Sequence, residues 1–421
     1  MRLTPDAAEF AALIIFLFTY ALISFGRLGK NSIEMPAAAL LGGALMLVTG
    51  IVNPQAALSS INWGTILLIM GMMMIVSGMD LSGVFRWISS KLVRAAGTPR
   101  LFIVYVSLIT AFLSALILND AVVLIFTPVI IASARKMGIS PLPPLIMEAI
   151  SANIGSTATE VGNPQNAYIA NISSIEFHVF TAYLLPVAVA SLLFAIILAI
   201  ILSRKEYVRS EMRSTEHQDE AGARVTFPMY FMAGVVFSVF TGFYLLPLSY
   251  VPVVAMVGGI VTLFALPLIT GRNGQELLVK VDWGILLFFI GLFVLISGIE
   301  SSGLLQLIIS ALTSIDTRLL STVGGLTVLT SVLSNMVSNV PAVVLLSPII
   351  EKNPTTRLWL SLAASSTLAG NATIIGAAAN VIVARGAARE GVHISLRSFM
   401  KYGLPITVVS LLFTFLFLQF L

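Results

Sequence analysis

Asn119-Asp120 interrupts an apolar stretch over 99–134, and Ser338-Asn339 interrupts a second over 317–351. A side-chain amide offers one acceptor and two donors, so each Asn can bind a cation, an anion or a hydroxyl as well as cap its turn. Asp120 adds a carboxyl at the first interruption, where the second has Val340. Each interruption is followed by a polar run in apolar surroundings. The first, SANIGSTATEVGNPQN, carries Asn153, Thr157, Thr159, Glu160, Asn163 and Asn166; the second carries Asn371, Thr373 and Asn380. An acid at the bilayer centre costs about 2.5–3.5 kcal/mol on insertion scales, so function is the default explanation for one placed there. A helix broken at that depth frees carbonyls for cations on one side and amide N–H groups for anions on the other. We read all these residues, with Ser338 and Asn339, as the substrate- or ion-binding set, and Asp120 and Glu160 as the carboxyls that carry a coupling proton. Asp80 and Glu300 fall at span ends, and Glu148 starts a span and is expected to face water. No Lys or Arg falls within an expected span, so an anion would rely on helix N-termini, amides and co-bound cations.

The elements that position these groups follow from composition. Of 421 residues, 58% are hydrophobic and 10% charged, whereas soluble domains are about a quarter charged. The bilayer is therefore the solvent, and the chain reads as an all-α polytopic membrane protein. A net charge of +4, concentrated in loops, gives no reason to expect nucleic acid. Without cysteine there are no disulfides or thiolate metal sites. His178, His217 and His393 are too scattered for a metal site, and no cofactor is expected. No nucleophile–base pair, HExxH or GxSxG suggests an enzyme. Asp6 and Glu9 precede the apolar run 10–25, which lacks a small-residue cleavage site and reads as the first span.

Apolar stretches long enough to cross lie near 8–25, 36–52, 61–79, 178–202, 228–246, 251–270, 283–299 and 402–420. With the N-terminus outside and 99–134 returning to its own side, 19 of the 23 Lys and Arg residues, Arg385 among them, fall on the inside. That orientation forces the polar segment 142–171 across the membrane, where it survives only if buried in protein or lining a cavity. A shift of 220 residues pairs 63–130 with 283–350, identical at 18 of 68 positions, including Trp63/Trp283, Gly71/Gly291, Asn119/Asn339 and Pro128/Pro348. Further on, 151–170 pairs with 365–384, and YLLPVAVASLLF (183–194) with YGLPITVVSLLF (402–413). Each repeat has five crossings plus the interrupted region. Five is odd, so the second copy is inverted, both termini lie outside, and the site is expected where the copies meet. An arm of about fifteen residues reaches about 22 Å, short of a core of about 30 Å, which favours re-entrant hairpins. The expected plan is about ten transmembrane helices, two re-entrant hairpins (99–134 and 317–351) and two broken helices (142–171 and 356–385). A charged cytoplasmic linker over 203–227 joins the halves.

LSALILNDAVVLIFTPVII resembles the Asn-Asp hairpin of ArsB-type arsenite permeases, and LSNMVSNVPAVVLLSPII resembles its partner. The break SANIGSTATEVGNPQNAYIA looks more like the anion-permease and symporter branches. Nearly the whole chain thus resembles the ion transporter superfamily of ArsB-type permeases, NhaD-type sodium–proton antiporters and divalent anion–sodium symporters, with ArsB-like proteins nearest. Divalent anion symporters carry Ser-Asn-Thr at both tips; here the tips read Leu118-Asn119-Asp120 and Ser338-Asn339-Val340. The resemblance implies a scaffold part in each repeat (1–98 and 228–316) and a transport part (99–202 and 317–421), with elevator-like alternating access, often in a homodimer. The function expected is proton-coupled efflux of arsenite or antimonite across the cell (inner) membrane, these solutes being largely neutral hydroxides that amides and hydroxyls can hold. Sodium–proton antiport and anion or dicarboxylate transport are the alternatives, with protons or sodium as coupling ion.

Overall fold

The computed structural model describes residues 5–25, 34–208, 224–316 and 318–420. Most of the linker 203–227, with His217, and the basic residues Arg2, Arg27, Lys30, Arg209 and Arg213 lie outside the described residues. Among the described residues every regular element is helical.

The first repeat runs α1 (Pro5–Phe25), α2 (Met35–Val48), α3 (Pro54–Ser60), α4 (Trp63–Ser82), α5 (Val84–Ala95), α6 (Pro99–Leu116), α7 (Asn119–Lys136), α8 (Leu142–Thr157), α9 (Pro164–Ser173) and α10 (Phe177–Val208). The second runs α11 (Phe227–Leu245), α12 (Val251–Thr270), α13 (Gln275–Val279), α14 (Trp283–Ser301), α15 (Leu304–Ile315), α16 (Arg318–Ser321), α17 (Val323–Val337), α18 (Asn339–Ile350), α19 (Thr356–Ala369), α20 (Ala378–Arg389) and α21 (Leu396–Gln419). Apart from α16, the two halves match element for element. The starts match too: Asn62 caps α4 through the Thr65 N–H, and Asp282 caps α14 through the Ile285 N–H. Among the described residues, eight helices are long and apolar enough to cross a membrane, and the fold is the inverted-repeat helical architecture expected from the sequence.

The repeats interlock crosswise, α2 against α14 and α12 against α4. Small residues bring these backbones together. A Cβ on Gly71 would stand 2.4 Å from the Ala255 carbonyl carbon, and one on Gly291 would stand 2.4 Å from that of Ala39. The hairpin and break helices form a second cluster with α10 and α21, in which α6 packs on α8, α17 on α19, α10 on α21 and α7 on α20.

Four details differ from the expectations. The first hairpin's arms, α6 and α7, have 18 residues each, about 27 Å at 1.5 Å per residue. The second hairpin's arms have 15 and 12. Both tips nonetheless border one cavity, so they stop at a common depth, as re-entrant hairpins do. The 12-residue helices α5 and α15 are too short to stand out in the sequence as apolar spans. Arg385 lies inside α20 rather than in a loop. Glu148, expected to face water, is fully buried, because α6, α7, α10, α19 and α20 enclose its helix.

Candidate functional site

Asn119 opens α7, and its Oδ1 accepts from the Asp120 N–H at 2.9 Å. Its Nδ2 donates to Asn153 Oδ1 (3.1 Å), and its backbone N–H donates to the Gly162 carbonyl (2.9 Å), which ties the first hairpin tip to the first break. Asn153 in turn donates to Asn371 Oδ1 (2.9 Å) and Asn380 Oδ1 (3.0 Å) in the second break. Asn339 opens α18. With its amide oriented to satisfy its neighbours, the nitrogen donates to the carbonyls of Ser366 and Gly376 (both 2.9 Å), and the oxygen accepts from Gln165 Nε2 at 3.3 Å. Gln165 also donates to Thr367 Oγ1 at 2.9 Å. Two sets of amides thus join the hairpin tips to the breaks, one from Asn119 through Asn153 to Asn371 and Asn380, the other from Asn339 to Gln165.

The breaks are held open in the same way. Asn166 Nδ2 donates to the carbonyls of Ser156 and Thr159, at 3.1 and 3.0 Å. Its repeat partner Asn380 donates to those of Gly370 and Thr373, at 2.8 and 2.9 Å. Asn163 caps α9 through the Asn166 N–H and donates to the Ser156 carbonyl. Thr157 Oγ1 binds the Asn153 carbonyl, Thr159 Oγ1 the Ala115 carbonyl, and Thr373 Oγ1 donates to Asn335 Oδ1. Asn163, Asn166 and Asn380 thus spend their amides on backbone at the breaks, as buried backbone requires.

Between the tips lies a cavity of about 520 Å³. Of the residues singled out from the sequence, Asn119, Asp120, Asn153, Ser338 and Asn339 line it. Thr157, Thr159, Glu160, Asn163, Asn166, Asn371, Thr373 and Asn380 do not; apart from Glu160, their side chains are hydrogen-bonded at the breaks. Glu160 is fully buried there, and neither of its carboxyl oxygens has a hydrogen-bond partner. Ser338 holds φ +77 and ψ 165, a backbone region that normally requires glycine and that stores strain when another residue occupies it. Gln165 and Arg385 also line the cavity. Gln165 had a signal, its place in the polar run; Arg385 had none, because a terminal arginine reads as a loop residue.

The first turns of α7, α9, α18 and α20 all border this space, through Asn119 and Asp120, Pro164 and Gln165, Asn339 and Val340, and Ala378. Helix N-termini present unpaired N–H groups and the positive end of the helix dipole. The cavity therefore suits an oxygen-rich neutral or anionic solute, and Asp120 places one carboxyl against it. Glu34, Asp282 and Arg385 form the mouth. All three lie on the side that the distribution of basic residues is expected to make cytoplasmic, so an inward-facing cavity is the expectation. Among the described residues, no group of His, Asp or Glu has the geometry of a metal site.

Similar proteins agree with this description. A protein of Mycobacterium tuberculosis (strain H37Rv) named Uncharacterized transporter Rv2685 is 31% identical over 97% of both chains. The Silicon efflux transporter LSI3 of Oryza sativa subsp. japonica is 29% identical over 89% of this chain and 90% of its own. The Putative transporter arsB of Dictyostelium discoideum is 25% identical over 93% of this chain and 86% of its own. The crystal structure of the Alcanivorax borkumensis YdaH transporter superposes with a TM-score of 0.60 over 99% of this chain and 97% of its own, at 15% identity, a likeness of fold. The family profile described as "CitMHS: Citrate transporter" matches residues 20–353. With that match, the paired hairpins and the shared cavity, the chain belongs to the CitMHS family of secondary transporters within the ion transporter superfamily.

Proposed function

We propose that this transporter exports a small oxyacid of the arsenite or antimonite type, driven by protons, from the cell (inner) membrane. The carrying observation is the lining of the cavity: the first turns of four helices, which supply N–H donors, beside amides from both repeats. A neutral hydroxide binds such donors without a fixed countercharge, and two relatives have names that refer to silicon efflux and to arsB. Asp120, at a tip that both sides reach in turn, is the proton carrier in this reading, and Glu160 is auxiliary. The moving part is 99–202 with 317–421, carried against 1–98 with 228–316, because an elevator translates the whole site across a fixed barrier. A second reading, carboxylate anion transport, draws on Arg385 at the mouth and on the family's description.

The test is solute flux in proteoliposomes holding the full chain, with arsenite, antimonite, citrate and sodium offered singly, with and without a pH gradient. Gradient-driven arsenite flux, lost in Asp120→Asn while arsenite exchange at equilibrium continues, is the expected result. Citrate flux that falls with Arg385→Gln would replace this reading with the second, and sodium movement alone would replace it with sodium–proton antiport.

A further inference from the structure

Glu148 lies in the middle of α8, fully buried, in the cluster that carries the hairpins and breaks. Its Oε2 is 3.0 Å from Thr127 Oγ1 on α7, and its Oε1 has no hydrogen-bond partner. Thr127 Oγ1 also lies 2.7 Å from the Val123 carbonyl. A hydroxyl has one proton to give and lone pairs to receive with. The one Thr127 proton can serve either the Val123 carbonyl or Glu148 Oε2, so as a carboxylate Glu148 would have one shared donor and an unpaired Oε1. As a carboxylic acid Glu148 can donate to Thr127 Oγ1 and leave the Thr127 proton to Val123. No described Lys, Arg or His forms an ion pair with it, and a buried carboxylate without a cation and with one oxygen unpaired would be strongly destabilising.

The charged residues of the surrounding helices sit near helix ends. Arg100 opens α6; Asp120 opens α7, and Arg135 and Lys136 close it; Arg385 and Arg389 fall in the last turns of α20. The remaining neighbours, α10, α19 and α21, place His178, Arg204, Arg357, Arg397 and Lys401 toward their termini. The position relative to the cavity is specific. A Cβ on Gly386 would be 3.0 Å from Thr127 Cγ2, and the preceding residue, Arg385, lines the cavity. On Glu148's own helix, Asn153 lines it too. The pair therefore sits one helix behind the cavity wall, under α20. In the second repeat Leu362 stands opposite Glu148, so the symmetric architecture does not require an acid.

We propose that Glu148, held by Thr127, is a further proton-carrying group of the transport cycle, beside Asp120 and Glu160. In the state shown, it holds its proton on the Thr127 lone pair. When the moving part crosses to the other side, water reaches the carboxyl, the O–H bond breaks, and the proton leaves to that water, to be replaced from the first side in the next cycle. The proposal rests on the proton-coupled reading above. Its alternative is a permanently neutral acid that only fills space.

Glu148→Gln separates the two, because an amide keeps the shape and donates to Thr127 but cannot release a proton. The parent and the variant, reconstituted as full chains, are compared for arsenite exchange at equilibrium and for protons moved per arsenite, read with a trapped pH dye. The expected result is retained exchange with a lower proton-to-solute ratio and a flattened pH profile. An unchanged ratio and profile would overturn the proposal. A parent that moves arsenite without protons would overturn the proton-coupled reading and this proposal with it, whereas a coupled parent with an equally coupled variant would overturn this proposal alone. Thr127→Val, which deletes the acceptor and leaves the carboxyl, covers a Gln variant that fails to fold. It should move the pH midpoint of gradient-driven flux, and an unmoved midpoint counts against the proposal.

Discussion

Asn166 and Asn380 occupy equivalent places in the repeats, and each bridges two backbone carbonyls across a break. Both side chains are buried, so neither carbonyl pair finds water when the amide is removed. Leaving a buried acceptor unpaired costs about 1–3 kcal/mol. Asn166→Ala and Asn380→Ala should therefore each destabilise the protein by about 2–4 kcal/mol, counting two weakened acceptors, as read from thermal unfolding in detergent. A loss well below 1 kcal/mol would mean that the breaks are held by something else. From the sequence alone these Asn residues and the cavity-lining Asn119 and Asn339 look alike. All lie in polar interruptions of apolar segments, and a linear pattern shows where a helix breaks without showing which side of the break faces the solute. Glu148 was misplaced for a related reason. The preceding run Ser140-Pro141-Leu142-Pro143-Pro144 marks a helix start, but the chain reaches full burial within one turn of it because five helices close around α8.

At the scale of elements, the spans and breaks were legible because length, hydropathy and duplication report them directly. The amphipathic helices α5 and α15 were not, since twelve residues with one polar face fall below the length of a span. Also illegible was the contact between the two groups of helices. Tyr20 on α1 is buried and donates its hydroxyl to the Pro341 carbonyl in the first turn of α18, at 2.9 Å. The repeat shift of 220 residues matches Tyr20 with Phe240 and Pro341 with Ala121. If the outward-facing state exchanges the roles of the repeats, Phe240 meets the first hairpin there and has no hydroxyl to offer. The bond therefore favours the inward-facing state without a counterpart. A net hydrogen bond contributes about 0.5–1.5 kcal/mol, so Tyr20→Phe should shift the equilibrium outward by about two- to tenfold. A single cysteine at Val381, on the cavity wall of this otherwise cysteine-free chain, reports the shift as a slower rate of thiol labelling from the cytoplasmic side. An unchanged rate would show that the bond does not bias the two states.

For the whole molecule, the inversion of one repeat relative to the other determines where every side chain meets water. Five crossings per half reverse the second copy, and two ion pairs between the halves agree. Arg135 pairs with Glu390 at 3.2 Å, and Asp80 pairs with Lys280. Each joins residues that the distribution of basic residues assigns to the cytoplasmic face. If the repeats were parallel, Asp80 and Lys280 would close on opposite faces and could not meet. The same parity sends the first hairpin in from the cytoplasmic face and the second from the other, so their tips approach one cavity from opposite sides. The most direct probe is a pair of residues that the duplication makes equivalent and the inversion makes opposite. Gln55 on α3 and Gln275 on α13 are such a pair; both are exposed and separated by the repeat shift. With cysteine introduced singly at each, an impermeant thiol reagent should label Gln55→Cys from outside intact cells and Gln275→Cys only in inverted vesicles. Labelling of both from one side would make the repeats parallel, and the two hairpin tips could not then enter a common site from opposite faces.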